Sequence, residues 1–199
     1  MKMLAATNNK HKLEEISAIL NKLNIEVISM QQAGIDLEVD ETGKTFIDNA
    51  LIKAREIARL TDMPVISDDS GLEVFALNNQ PGVKSARYSG VDGDQKDMKN
   101  NEKLLKNLID VPLEQRGARF CSVIAAVFPD GNEITAEGYV YGKIGYQAKG
   151  NNGFGYDPLF IVDGYDKTMA EIGSETKNMI SHRANALKSF VQKLEIMIK

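Results

Sequence analysis

Apolar positions along the chain switch between two spacings. Residues 3–6 form a short apolar run that predicts a strand, and from Lys12 onward Leu13, Ile16, Ile19, Leu20 and Leu23 recur at helical spacing. Residues 25–30 return to a strand pattern. A second helix is signalled at Thr45, with Asp48 three residues on as a variant capping box, and its apolar stripe is Phe46, Ala50, Leu51, Ala54, Ile57 and Ala58. Pro64-Val65-Ile66 leads as a strand into Asp68-Asp69. Beyond it the pattern predicts a strand over 72–77, a turn over 78–82, another extended piece over 83–88 and a helix over 97–109. A long strand over 120–128 is turned by Pro129-Asp130-Gly131-Asn132 into a partner over 134–140. The last helix starts near Ser181, with Ala184, Leu187, Val191, Leu194 and Ile198 on one side. Helices alternate with strands at first and a hairpin follows, so the expected class is α/β with a mixed central sheet and flanking helices.

Composition narrows the class. The 199 residues are 43% apolar and 26% charged, the balance of a folded chain that needs no disulfide or structural metal. A net charge of −4 argues against broad nucleic-acid binding, which requires a basic face. One cysteine, Cys121, excludes an internal disulfide and any multi-cysteine zinc site. No apolar run is long enough to cross a bilayer and the first residues do not read as a signal peptide, so a cytoplasmic location without membrane contact is expected. No repeat or linker divides the sequence, which reads as one domain over 1–199.

Five polar segments interrupt this framework. Thr7, Asn8, Asn9, Lys10, His11 and Lys12 lie between the first strand and helix, where helix N–H groups and cationic side chains hold anions, or where Asn simply caps a polar turn. His11 reads as a surface residue rather than a metal ligand. Gly43-Lys44-Thr45 is not a P-loop, because position 38 is Glu38 rather than Gly. Asp36, Glu38, Asp40 and Glu41 before it suit either a hard cation such as Mg²⁺ or a solvated helix start. Asp68-Asp69-Ser70-Gly71 places two acids at a strand end, which packing explains poorly; adjacent strand residues point to opposite faces, so the pair does not form one chelate unless the chain turns there. Gly150 to Asp157 carries three glycines around Phe154, either a stacking platform for a base or a flexible hairpin loop. Finally, Lys177 precedes Ser181-His182-Arg183, where Ser181 suits an N-cap but His182 and Arg183 oppose the helix dipole and call for an acceptor or anion.

Taken in order, Thr-Asn-Asn-Lys-His-Lys, Glu-Thr-Gly-Lys-Thr-Phe-Ile-Asp-Asn-Ala, Asp-Asp-Ser-Gly-Leu, Ser-Ala-Arg-Tyr-Ser-Gly, Gly-Phe-Gly-Tyr-Asp-Pro-Leu-Phe and Ser-His-Arg-Ala resemble the Ham1/inosine triphosphate pyrophosphatase family over nearly the whole chain. The resemblance implies a Mg²⁺-dependent hydrolase that clears deaminated purine nucleotides (ITP, dITP, XTP) to the monophosphate and pyrophosphate. It further implies two lobes around a cleft and a homodimer. By the same resemblance Thr7 to Lys12 bind the triphosphate, Glu41 and Asp69 hold Mg²⁺, and Asp69 is the general base. Ser70, Phe154, Gly155, Tyr156, Asp157, Lys177, His182 and Arg183 correspond to nucleotide contacts. Two positions depart from the family pattern: His11 stands where Gly is frequent, and Asp48 where Glu is frequent. Lys53 on the second helix faces either phosphate or solvent.

On this reading Mg²⁺ neutralises phosphate charge, Lys12 and Lys177 add to it, and Asp69 orients or deprotonates the attacking water. Donors from His182 and Arg183 meet the 6-keto acceptor of hypoxanthine or xanthine and oppose the 6-amino donor of adenine. The alternative is a Maf-like pyrophosphatase acting on other modified nucleotides. A nucleotide-binding regulator without catalysis is a more distant rival, disfavoured by the presence of both Glu41 and Asp69.

Overall fold

The computed structural model describes residues 1–198. Its elements in chain order are β1 (Lys2–Ala5), α1 (Lys10–Leu20), β2 (Glu26–Ser29), α2 (Phe46–Ala58), β3 (Val65–Val74), β4 (Gln80–Pro81), α3 (Lys96–Asn107), β5 (Gly117–Val127), β6 (Glu133–Ile144), β7 (Phe160–Val162), α4 (Ser174–Ile180) and α5 (His182–Ile198). The strands hydrogen-bond in the order β2-β1-β3-β5-β6-β7, with β4 against β3. β1 runs parallel to both β2 and β3, whereas β7 runs antiparallel to β6. This is the mixed α/β class that the pattern predicts. Among the described residues no helix is long and apolar enough to cross a membrane.

The chain divides into two compact units. The first comprises Met1–Asp69, Ser122–Gly138 and Ser181–Lys199; the second comprises Ser70–Cys121 and Tyr139–Ile180. Three strands, β3, β5 and β6, pass from one unit into the other.

In the first unit α1 and α5 pack together, and the core gathers Met3, Ile16, Leu20, Ile66, Ile124, Ala136, Leu187 and Phe190. Parallel pairing buries both faces of a strand, which is why residues 3–5 form an unbroken buried run. α2 starts with the expected capping box: Asp48 N–H donates to Thr45 Oγ1 at 3.1 Å, and Thr45 N–H donates to Asp48 Oδ2 at 3.1 Å. The second unit has its own core, built from Leu72, Val74, Leu104, Phe120, Ile144, Leu159, Phe160 and Met169. Phe120 and Phe160 pack there with ring centroids 4.6 Å apart and their planes tilted by 47°.

The structure corrects the pattern in four places. β3 is one continuous strand through Asp68 and Asp69 to Val74, not two. Residues 83–88 are not extended: Gly82–Arg87 coil as a 3₁₀ segment, because Ser85 Oγ accepts from Leu72 N–H at 2.8 Å and donates to Gly82 C=O at 2.6 Å. Leu23 is 45% exposed, because α1 ends at Leu20 and the tighter 3₁₀ turn that follows moves it off the stripe. Ile198, 64% exposed, lies a turn beyond the last buried position, Leu194.

Gly138 in β6 allows α5 to approach: a Cβ there would overlap the backbone of Ala186 and His182. Gly138→Ala is therefore expected to destabilise the protein by about 1–3 kcal/mol in urea unfolding. An unchanged midpoint would show that α5 packs less closely than the structure indicates.

Candidate active site

Two clusters of polar side chains emerge, one in each unit. In the first, the strand pleat sends the side chains of Asp68 and Asp69 to opposite faces of β3. Asp68 is fully buried. Arg183 grips both its oxygens, Nε to Oδ1 at 3.1 Å and a terminal nitrogen to Oδ2 at 3.2 Å. Lys12 Nζ lies 2.8 Å from Oδ2, and Ser122 Oγ donates to Oδ1 at 2.6 Å. Arg183 is itself buried and extends its other terminal nitrogen to Glu15. Burial alone would raise the Asp68 pKa, but Arg183 and Lys12 overcome it and hold the carboxyl well below the usual range.

On the opposite face stands Asp69, 5% exposed. Its Oδ1 lies 3.5 Å from Lys53 Nζ, while Oδ2 is buried and has no hydrogen-bond partner among the described residues. Glu41, on the loop before α2, reaches the same ammonium with Oε1 at 2.5 Å. Lys53 also donates to the Asp68 carbonyl at 2.8 Å. Burial disfavours the Lys53 charge, yet Asp69 and Glu41 outweigh it and raise the pKa. At Asp69 burial is the largest influence, and it raises the carboxyl pKa despite Lys53 and Lys12. Desolvation rather than the ion pair dominates at this group.

The Glu41 loop is fixed from α2. Asn49 Oδ1 accepts the Gly43 N–H at 2.8 Å, and a Cβ on Gly43 would lie 2.5 Å from Asp48 Cβ, so only glycine allows this approach. Residues 7–12 form the predicted helix start: Asn9 caps α1 by accepting from Lys12 N–H at 3.2 Å, and Thr7 Oγ1 accepts from Asn9 N–H at 3.2 Å. Asn8, Lys10 and His11 are exposed, and His11 lies 3.9 Å from Glu14.

The second cluster is the glycine-rich loop. Asp157 Oδ2 accepts the Phe154 N–H at 3.1 Å and pairs with Lys177 Nζ at 2.8 Å. The Lys177 ammonium lies 5.1 Å from the centre of the Phe154 ring, within cation–π range. Gly155 is held on both backbone groups, its N–H donating to Asp97 Oδ2 at 2.7 Å and its C=O accepting from Asn101 Nδ2 at 2.9 Å. Tyr156 is buried, and its hydroxyl donates to the Ser85 carbonyl at 2.9 Å. The loop is braced, not the flexible hairpin of the alternative reading. Ser70 opens this unit directly after Asp69.

Several sequence expectations change. The positive start of α5 is compensated from within the protein, because Asp68 and Glu15 neutralise Arg183. Lys53 is not a solvated lysine; its side chain is 12% exposed. Sequence reasoning also passed over Glu15, Asn49, Asp97 and Asn101. Glu15 had a signal, since it stands three residues after Lys12 on the same helix face. Asp97 and Asn101, four apart on α3, had only that spacing.

The residues pass a chemical test for Mg²⁺. Among the described residues no group of three His, Cys, Asp or Glu side chains could hold an ion alone. Mg²⁺ at phosphate sites commonly takes one or two carboxylates and completes its shell with phosphate and water. Glu41 and Asp69, focused on one cation and with a buried oxygen to spare, match that donor set.

The structure is that of an α/β protein with a carboxylate pair around one lysine in its first unit and a braced aromatic loop in its second. The profile of the Ham1 family matches residues 3–193. The chain is 48% identical to a dITP/XTP pyrophosphatase of Clostridium perfringens, over 100% of this chain and 99% of that one. Among solved structures, the Ham1 protein of Staphylococcus aureus superposes with a TM-score of 0.86 at 41% identity, covering 100% of both chains. A HAM1 protein from Coxiella burnetii gives 0.87 at 37% identity, covering 98% of each. The chain belongs to the Ham1 family.

Asp68→Asn is expected to destabilise the fold by about 3–5 kcal/mol, since it leaves Arg183 buried without its countercharge. The folded-state pKa of Asp68 is depressed, so its contribution is full above the unfolded value near 3.8 and is lost as pH falls below it. Urea unfolding at pH 7 and pH 3 should show a smaller difference between wild type and variant at the lower pH. A constant difference would contradict the assignment.

Proposed function

We propose that this protein is a Mg²⁺-dependent pyrophosphatase that hydrolyses dITP, ITP and XTP to the monophosphate and pyrophosphate. The observation that carries the reading is the unpartnered Oδ2 of Asp69, buried beside a second carboxylate, Glu41, that shares its cation.

Each group takes a part suited to its chemistry. The N–H groups at the start of α1, with Thr7, Asn8, Asn9, Lys10 and His11 around them, bind phosphate oxygens, and Lys12 adds charge at close range. Glu41 and Asp69 hold the metal. When bound, Mg²⁺ supplies charge neutralisation and lowers the pKa of the attacking water. Asp69 orients that water and accepts its proton. The water oxygen bonds to the α phosphorus, the α–β bridging bond breaks, and pyrophosphate leaves with the electron pair.

Phe154 offers a stacking face for the base, with Ser70, Gly155, Tyr156, Asp157 and Lys177 shaping and charging its surroundings. His182 supplies a donor for the 6-keto oxygen. Arg183, with N–H groups already engaged by Asp68 and Glu15, supports the reading mainly by fixing β3. Adenine would set its 6-amino donor against a donor, at a cost of about 1–3 kcal/mol when buried. The same reading includes a homodimer in the cytoplasm, which sedimentation and fractionation test.

A panel of dITP, XTP, dGTP, ATP and modified pyrimidine triphosphates, with and without Mg²⁺, checks substrate class. Pyrophosphate from dITP and XTP only with the metal supports the reading; preference for pyrimidine analogues favours the Maf-like alternative. Asp69→Asn should lower kcat by at least about a hundredfold with unchanged melting. Near-normal turnover would remove Asp69 from the role of base.

A further inference from the structure

Among the described residues, Lys53 is the cation placed between the two carboxylates proposed as metal ligands. Its ammonium meets Glu41 Oε1 at 2.5 Å, the Asp68 carbonyl at 2.8 Å and Asp69 Oδ1 at 3.5 Å. All three acceptors are oxygens of the kind a hard divalent cation takes, and a divalent ion shared by Glu41 and Asp69 would compete with the ammonium for them. α2 presents Lys53 one turn after Asn49, the residue that anchors the Glu41 loop through Gly43. One helix face therefore both positions Glu41 and neutralises it.

We infer that Lys53 is a placeholder for the metal. In the nucleotide-free enzyme its ammonium keeps Glu41 and Asp69 from repelling each other and preserves their spacing. The divalent cation enters by displacing it, and the freed ammonium then becomes available to a phosphate oxygen. This rests on the assignment of Glu41 and Asp69 as ligands, and it adds a consequence: the free enzyme binds divalent cations weakly because the place is taken. Binding then becomes favourable when an incoming polyphosphate offers the displaced ammonium a new partner. Lys53 is a positioning residue in the resting state rather than a bystander.

The test is Mn²⁺ binding to the nucleotide-free protein, followed by calorimetry. Lys53→Met should bind Mn²⁺ about tenfold more tightly than wild type, because a competing charge at contact distance is gone. Lys12→Met removes an equal charge that is held on Asp68 instead, and should gain less than about threefold. The gain should vanish in Lys53→Met combined with Asp69→Asn. No gain in Lys53→Met, or equal gains in both single variants, overturns the inference. Should Lys53→Met fail to fold, acetic anhydride labelling of wild type serves: Mn²⁺ should raise Lys53 modification, and unchanged labelling overturns the placeholder. Neither measurement reads turnover, so a protein that shows this pattern yet leaves dITP intact would refute the proposed function without touching this one.

Discussion

A carboxylate with no access to water anchors the first unit. Asp68 is carried on β3, a strand that lies between β1 and β5 in the sheet, and a charge buried there survives only if other charges are brought to it. Arg183 from α5, Lys12 from α1 and Ser122 from β5 do so. The result joins four segments far apart in sequence, and its geometry decides much else. Lys12 is drawn inward at the start of α1, so the helix start that would meet phosphates has a fixed position. Arg183 is turned away from solvent, and its two carboxylate partners, buried Asp68 and partly buried Glu15, resolve the electrostatic conflict that the sequence showed at the start of α5. Removing Asp68 or Arg183 leaves a buried charge without its main partner, which is why this network resembles an anchor more than a reactive centre.

The pleat does the rest. Asp68 is neutralised on one face, and Asp69 emerges on the other with Lys53 at 3.5 Å and, among the described residues, no hydrogen-bond partner for Oδ2. Two adjacent residues of the same type thereby acquire opposite characters: one carboxyl is held far below its usual pKa by cations, and the other is raised by burial. In the second unit the loop around Phe154 is set by similar means. A carboxylate, Asp157, caps the loop and holds Lys177 against the ring, while α3 clamps Gly155 from both sides. Both clusters are tied by hydrogen bonds and ion pairs from within the protein.

Much of this was legible in the sequence, for identifiable reasons. The capping box at Thr45, the helical stripe of α2 and the short apolar strand from Met3 follow from short-range rules, and each was found. The opposite orientation of the acidic pair followed from strand geometry alone. What stayed hidden depends on contacts between distant segments. Nothing near Ser85 in sequence announces that its hydroxyl will curl 82–87, and nothing near Lys53 shows that Glu41 and Asp69 will close on it. The same limit applies to Asn101 and Gly155, 54 residues apart. The family resemblance supplied the roles; the structure supplied the partners, and at Arg183 it shifted the emphasis from ligand to anchor.

The central claim is that Asp69, and not its neighbour Asp68, shares a divalent cation with Glu41. Crystals soaked with Mn²⁺ and a non-hydrolysable dITP analogue measure this directly through the anomalous signal of the ion. The account predicts one Mn²⁺ at about 2.1–2.3 Å from Asp69 Oδ2 and a Glu41 oxygen, with Asp68 still gripped by Arg183. A Mn²⁺ ion ligated by Asp68, or bound with Asp69 Oδ2 left uncoordinated, would contradict it.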